Sequence, residues 1–234
     1  MISICIPTYN GESYISEQII SIISQLRNFD EIIISDDCST DQTIELIKSF
    51  NDDRIKIFCN DKSHGIISNI ESALNQAKGD IIFLSDQDDV WLQDKVKICK
   101  QALVDSDLVI SDCIITDRNL NVINDSFFVQ NKSQINKYRA IIRNPYLGCC
   151  MAFNRKVLNK SLPFPSGIPM HDIWIGNVAA FNFKVSFIPD KLIYYRRHGE
   201  NASTTSEPTK ANILQQIKYR LPVIKGLLKI FFNF

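Results

Sequence analysis

Three carboxylates fall within four residues in the stretch Ser85-Asp86-Gln87-Asp88-Asp89-Val90-Trp91. Like charges this close repel one another, and a hard divalent cation such as Mg²⁺ or Mn²⁺ relieves the repulsion through carboxylate oxygens. The same residues are also compatible with a solvated acidic turn ahead of a helix capped by Asp94. What precedes them favours chemistry. Ile81-Ile82-Phe83-Leu84 is wholly apolar and reads as a buried strand. In an open α/β sheet, ligands bind at the carboxyl ends of strands. Two further polar knots follow apolar runs in the same way. Pro7-Thr8-Tyr9-Asn10-Gly11 follows Ile2-Ser3-Ile4-Cys5-Ile6, and Asp36-Asp37-Cys38-Ser39-Thr40-Asp41 follows Glu31 to Ser35.

The elements that must position these loops alternate. A helix with Ile15, Ile19, Ile22, Ile23 and Leu26 on one face is expected after the first strand, and a helix with Ile44, Ile47 and Phe50 after the second. Arg54 to Cys59 reads as a third strand. His64-Gly65 opens a helix that Gly79 ends, and the fourth strand leads into the acidic stretch. Strand, polar loop and helix in repetition imply right-handed βαβ units, a parallel sheet and helices on both faces. Asn10, Asp37 and Asp88 should therefore converge at one sheet edge.

The second half is less regular. Leu108-Val109-Ile110 reads as a strand, 117–134 as polar loop, and Tyr146 to Phe153 as strand-like around Gly148. A helix begins near Met170-His171-Asp172 and runs to about Phe181. Val185–Ile188 and Leu192–Tyr195 read as two short strands. Arg196-Arg197-His198-Gly199-Glu200-Asn201 leaves the second of these. Residues 209–234 contain five cations and no carboxylate among Ile, Leu, Val and Phe, the pattern of a basic amphipathic helix at a membrane interface; docking on the core is the other reading.

The 234 residues suit one large domain or two small ones, with ordinary apolar and charged content. The formal net charge of zero does not point to nucleic acid. Seven cysteines, an odd number with no Cys-x-x-Cys pair, read as reduced thiols and not as a disulfide framework or zinc site. No secretory signal and no bilayer-crossing run is evident, so a cytoplasmic protein is expected, at the inner face of the membrane.

The order of Pro7-Thr8-Tyr9-Asn10, Asp36-Asp37-Cys38-Ser39-Thr40-Asp41, and Gly79-Asp80 through Asp86-Gln87-Asp88-Asp89-Val90-Trp91 resembles the family 2 glycosyltransferases. The later Met170-His171-Asp172-Ile173-Trp174 and Tyr195-Arg196-Arg197-His198-Gly199-Glu200-Asn201-Ala202-Ser203 look like a bacterial, rhamnosyltransferase-like branch that serves O-antigen and capsule assembly. The resemblance covers about residues 2–203. It implies the GT-A nucleotide-diphospho-sugar transferase fold, an α/β fold with a mainly parallel central sheet flanked by helices. The catalytic domain would span 1–208, with a nucleotide-binding half at 1–110 and an acceptor half at 111–208, followed by the C-terminal helix.

The resemblance also implies roles. Pro7, Thr8, Tyr9 and Asn10 would line the base and ribose pocket, joined by Asn69 and Gln87. Asp37 would bond a uracil or thymine ring. Asp86 would lie nearer the ribose, and Asp88 would hold Mg²⁺ or Mn²⁺ with help from His198. Asp172 would be the catalytic base, with His171 as runner-up. Trp91, Trp174 and Arg197 are candidates for acceptor or phosphate contact. The implied reaction is inverting transfer from a UDP- or dTDP-linked sugar to a glycan or lipid-linked acceptor, with peripheral membrane contact. The residues alone speak against two alternatives. A nucleotidyltransferase needs a basic, glycine-rich loop after the first strand, and Pro7-Thr8-Tyr9-Asn10-Gly11 has no cation. A non-catalytic sugar-nucleotide scaffold does not call for carboxylates at 37, 86, 88 and 172.

Overall fold

A computed structural model describes residues 1–60, 64–133, 136–199 and 213–232, with side chains described from 218 onward in the last segment. Glu200 to Ser203 of the last motif, and the first residues of the basic tail including Lys210, lie outside the described residues.

The amino-terminal half follows the alternation its apolar runs dictate. Strands β1 (Ile2–Thr8), β2 (Glu31–Asp36), β3 (Ile55–Cys59) and β4 (Ile81–Leu84) are separated by helices α1 (Ile15–Ile23), α2 (Thr43–Ser49) and α3 (Ile66–Gln76). Every residue of β1 and β2 is buried. The four strands run parallel in the order β3-β2-β1-β4. Each strand end therefore delivers its loop to the same edge.

The sheet continues without a break but changes character. A two-residue strand β5 (Val90–Trp91) follows the acidic stretch, then helix α4 (Lys95–Ala102) and strand β6 (Leu108–Thr116). Asp94 stands at the start of α4 in the left-handed region, with no side-chain cap bond, so the capped helix expected there is not formed by that carboxylate. The span 117–134 is not simply loop: it contains β7 (Val122–Asn124) and α5 (Phe127–Asn131), whose cap Ser126 accepts from Val129 N. Helix α6 (Lys137–Ile142) follows. Gly148–Cys150 forms a 3-10 turn where a strand was expected, and β8 (Met151–Asn154) begins only after it. Helices α7 (Arg155–Ser161) and α8 (His171–Asn182) precede the last strand, β9 (Val185–Arg196).

β9 is one strand where two were expected. It runs parallel to β6 with shifts of register about Ser111 and Asp112. Pro189 and Asp190 interrupt its apolar pattern at the point where the pairing slips. β8 pairs antiparallel with both β4 and β6, giving the order β3-β2-β1-β4-β8-β6-β9-β5. The sheet is thus parallel in its first half and mixed in its second.

The C-terminal helix α9 (Ile213–Phe232) uses two faces. Val223 and Leu227 are buried, and Gly226 lies so close to Trp174 of α8 that a Cβ there would come within 2.6 Å of the indole. Phe231 meets Phe181 of α8 edge-on. Leu221, Ile224, Leu228, Phe231 and Phe232 are exposed, with Lys218, Lys225 and Lys229 among them. The helix therefore docks on the core while a basic, apolar face points outward. Among the described residues no helix is long and apolar enough to cross a membrane.

Candidate functional site

The β1 loop is held by its neighbours in the sheet. Asp37 N donates to Thr8 O at 2.9 Å, and Asn69 Nδ2 of α3 donates to the same carbonyl at 3.0 Å. Thr8 Oγ1 donates to Asp36 Oδ1 at 2.8 Å. Asn10 has a positive φ of 46°, and its Oδ1 accepts from Thr40 N at 2.8 Å. Gln87 clamps the loop from the acidic stretch: Tyr9 N donates to Gln87 Oε1 at 2.9 Å, and Gln87 Nε2 donates to Tyr9 O at 3.0 Å. Asn69 and Gln87 thus spend their amides on the loop backbone. The Tyr9 ring is left 56% exposed above them.

Asp37 sits at the mouth of the second strand. Its Oδ1 accepts from Asn60 Nδ2 at 3.0 Å and lies 3.0 Å from His64 Nδ1, and its Oδ2 accepts from Gly65 N at 2.7 Å. These bonds tie the ends of β2 and β3 and the start of α3 around one carboxylate.

The acidic stretch is brought together with the end of β9. Asp88 Oδ2 lies 2.8 Å from His198 Nε2, and both side chains are largely enclosed. The His198 ring stacks on Tyr14 at 4.8 Å between centroids and 21° between planes. Arg196 N donates to Asp89 Oδ1 at 3.0 Å, its guanidinium pairs with Glu17 at 2.5 Å, and it also lies 4.9 Å above the Tyr14 ring. Arg196 is therefore the arginine that pairs with a carboxylate. Arg197, half-buried, donates through its backbone N to Thr116 O.

The charges in this site are strained by burial. Burial, then the charges of Asp88 and Asp172, push the Asp86 carboxyl up to about 8. Burial also raises the Asp89 carboxyl well above the ordinary range, with the charges of Asp88 and Asp86 adding to it. Asp86, Asp89 and Cys149 bring possible ligand atoms within 4.8 Å of one another, and Asp89 Oδ2 is a buried atom with no hydrogen-bond partner among the described residues. Neither Asp89 nor Cys149 was singled out from sequence. The adjacency of Asp89 to Asp88 was visible, but Cys149 reaches the site only through the 3-10 turn.

Asp172 is the second residue of α8, with Met170 in the cap position, so it lies in the positive first turn and is not itself the cap. Its Oδ1 accepts from Ile173 N at 2.7 Å and its Oδ2 lies 3.4 Å from Asn144 Nδ2. Burial raises its carboxyl above the ordinary range. His171 beside it is buried, with its basicity lowered by that burial. Its Nε2 would stand 2.7 Å from a Cβ on Gly148, so this ring is packed closely against the backbone of the 3-10 turn.

Two candidates do not reach the site. Trp91 is 3% exposed and packs on Phe83 beside Lys95. Trp174 is 1% exposed, donates from Nε1 to Ser161 O at 2.7 Å and packs under Gly226. Their indoles are core, which withdraws both from acceptor or phosphate contact.

Comparison with known proteins follows this geometry. The profile of glycosyl transferase family 2 matches residues 3–162. The chain is 30% identical over 166 residues to the UDP-Glc:alpha-D-GlcNAc-diphosphoundecaprenol beta-1,3-glucosyltransferase WfgD of Escherichia coli, across 70% of this chain and 64% of that protein. The chain thus spans somewhat less than two thirds of that relative's length. Among solved structures, TarS of S. aureus in complex with UDP-GlcNAc superposes with a TM-score of 0.69 at 21% identity, over the whole chain and 73% of that one. A mannosyltransferase of Pyrobaculum calidifontis in complex with GDP-Man and Mn2+ gives 0.63 at 20% identity, over 98% of this chain and 64% of that one. The fold is the GT-A transferase fold.

Proposed function

The chain belongs to glycosyl transferase family 2, and from that membership we propose that it is an inverting, divalent-metal-dependent glycosyltransferase. Its donor is a UDP- or dTDP-linked sugar and its acceptor a glycan or lipid-linked sugar in bacterial surface polysaccharide synthesis. The observation that carries the reading is the 2.8 Å contact between Asp88 and His198, with Asp86 and Asp172 close enough to feel one another's charge. Residues 1–110 form the donor half and 111–208 the acceptor half.

The donor set suits a hard cation: the carboxylates of Asp86 and Asp88 and the imidazole of His198, with the Asp86 carboxyl pushed up by burial first and then by the charges of Asp88 and Asp172. Asp88 and His198 would hold Mg²⁺ or Mn²⁺, with Asp86 alongside. When bound, the ion neutralises charge developing on the leaving diphosphate.

This chain's own residues do the rest. Pro7, Thr8, Tyr9 and Asn10 form the wall of the base and ribose pocket, held in shape by Asn69 and Gln87. Asp37 accepts the N3–H of a pyrimidine while Asn60 and Gly65 hold it in place. Arg197 offers a guanidinium to phosphate. Asp172 takes the proton of the acceptor hydroxyl as that oxygen attacks the anomeric carbon from the face opposite the leaving group. Its burial raises its affinity for that proton. The outward face of α9, basic and apolar, rests on an anionic membrane surface.

The test is a screen of UDP- and dTDP-linked sugars, read by donor hydrolysis and by protection from thermal unfolding with and without Mn²⁺. Protection by a nucleotide diphosphate only with Mn²⁺, and hydrolysis of at least one donor, is the expected result. No response to any donor would overturn the reading.

A further inference from the structure

Five of the seven cysteines are buried, and the two exposed ones face each other. Cys38 Sγ lies 3.9 Å from Cys59 Sγ, across 21 residues of sequence. The backbones that carry the two thiols are fixed. Cys59 is the last residue of β3 and pairs in register with Asp36, the last of β2, while Asn60 N donates to Asp36 O at 2.8 Å. Cys38 follows in a turn with a φ of 62°, the left-handed region that residues other than glycine rarely occupy. The turn keeps that conformation because the Asp36 carboxylate accepts from Ser39 N at 2.8 Å and from Ser39 Oγ at 2.6 Å.

The pair stands beside the side chains assigned above to the base pocket. Asp37 precedes Cys38 and Asn60 follows Cys59, and Asn60 Nδ2 donates to Asp37 Oδ1 at 3.0 Å. On its other side the turn holds the β1 loop. Asn10 N donates to Ser39 Oγ at 2.9 Å, and Thr40 N donates to Asn10 Oδ1 at 2.8 Å. A covalent link between the two sulfurs shortens their separation to about 2 Å. A turn bonded this firmly to both walls passes the displacement on to Asp37 and Asn10.

We propose that Cys38 and Cys59 are a site of reversible oxidation by small-molecule disulfides, and that the bond formed between them weakens the hold of the pocket on its nucleotide. The thiolate of one cysteine attacks a sulfur of the small disulfide, giving a mixed disulfide and releasing one small thiolate, which takes up a proton. The second cysteine, its proton lost to solvent, then attacks the protein sulfur of that mixed disulfide. This forms the Cys38–Cys59 bond and releases the second small thiol. Two cysteine thiols are oxidised, and one small disulfide is reduced to two thiols. An excess of small thiol runs both steps backward. The five buried sulfurs are shielded from the exchange. The effect on nucleotide rests on the role given to Asp37 above; the oxidation itself does not.

The full chain is treated with oxidised glutathione, digested without reduction and mapped by mass spectrometry. UDP binding with Mn²⁺ is measured by calorimetry before treatment, after it, and again after dithiothreitol and desalting. A peptide pair joined through Cys38 and Cys59 is the expected product. Oxidation weakens UDP by about tenfold, the scale of one displaced bond to a charged group, and dithiothreitol restores it. Because such coupling is reciprocal, the bond requires a more oxidising glutathione mixture when UDP and Mn²⁺ are present. Cys59→Ser stops at the mixed disulfide on Cys38. The double variant, Cys38→Ser with Cys59→Ser, binds UDP equally with and without treatment. The wild type before and after dithiothreitol gives the same comparison with no substitution. The inference is overturned if no Cys38–Cys59 pair forms, if the crosslinked chain binds UDP no more weakly than the reduced one, or if the double variant loses affinity on treatment. A chain that forms the pair but binds UDP in neither state refutes the nucleotide reading and keeps the oxidation site.

Discussion

His198 Nε2 lies 2.8 Å from Asp88 Oδ2, joining the end of the last strand to the loop after the fourth across 110 residues of sequence. Through that contact the acidic stretch is closed from above, and the two groups offer an oxygen and a nitrogen to one point in space. Asp88→Ala should abolish stabilisation of the protein by UDP or dTDP with Mn²⁺ in a thermal-unfolding assay, and transfer with it. Undiminished turnover in EDTA is the result that sinks the metal assignment.

Tyr14 orients that imidazole by stacking. Tyr14→Phe keeps the ring and should leave apparent Mn²⁺ affinity near wild type. Tyr14→Leu should weaken it by about 0.5–1.5 kcal/mol, the scale of an aromatic pair. Manganese titration followed by electron paramagnetic resonance reads this directly. Equal affinities of the Phe and Leu variants would show that the stack has no part in holding His198.

Asp37→Ala should weaken UDP and dTDP by about 1–3 kcal/mol, as expected for a bond to a charged group. Because Asp37 also gathers Asn60 and Gly65, the control is Asn60→Ala, which loses one support and keeps the carboxylate. If the control loses as much nucleotide affinity in calorimetry as Asp37→Ala, the carboxylate shapes the loop and does not read the base.

Asp172 makes a prediction in two parts. Its folded carboxyl sits above its unfolded value because of burial. A group shifted in this direction contributes stability that is present below the unfolded value and lost as pH rises through the folded one. Asp172→Asn removes that cost, so it should unfold at a higher temperature than wild type at neutral pH, with the gap closing in acid. The same change removes the base and should slow transfer by roughly 10²–10⁴, with UDP affinity kept. In the wild type, kcat/KM should fall with acid at a pH above the ordinary carboxylate range. Retention of anomeric configuration, or near-normal turnover by Asp172→Asn, excludes the assignment.

Removing residues 209–234 is a poor test of membrane binding, because Val223, Gly226 and Leu227 cover Trp174 and its surroundings. Leu228→Gln with Phe232→Gln leaves that packing alone. It should reduce sedimentation with phosphatidylglycerol vesicles while nucleotide binding persists. Unchanged sedimentation would mean that the outward face of α9 is not the lipid contact.

The first hundred residues were legible because parallel strands buried on both faces must be continuously apolar, as Ile32-Ile33-Ile34 and Ile81-Ile82-Phe83-Leu84 are. The convergence of the Asn10, Asp37 and Asp88 loops at one edge followed from that alone. The second half was misread where long-range pairing overrides local pattern. β9 survives Pro189 and Asp190 because β6 shifts register to meet it. β7 and α5 lie in a polar stretch whose apolar contacts come from elsewhere: Phe128 packs on Phe187. The bond from Arg196 N to Asp89 Oδ1 spans 107 residues and leaves no trace in spacing. Trp91 and Trp174 sit beside motif residues in sequence, yet their side chains turn into the core.

The antiparallel strand β8 has a consequence for the order in which the chain is made. Its partners are β4 and β6, so the outer edge of Ile81–Leu84 has no native partner until Met151–Asn154 leaves the ribosome. During that interval a parallel, four-stranded unit exists with one apolar edge open, the geometry that recruits foreign strands. β6 waits longer still for β9, which begins at Val185. A pause in translation between these points lengthens the life of an open edge, and chains truncated before Met151 should aggregate where the full chain remains in solution.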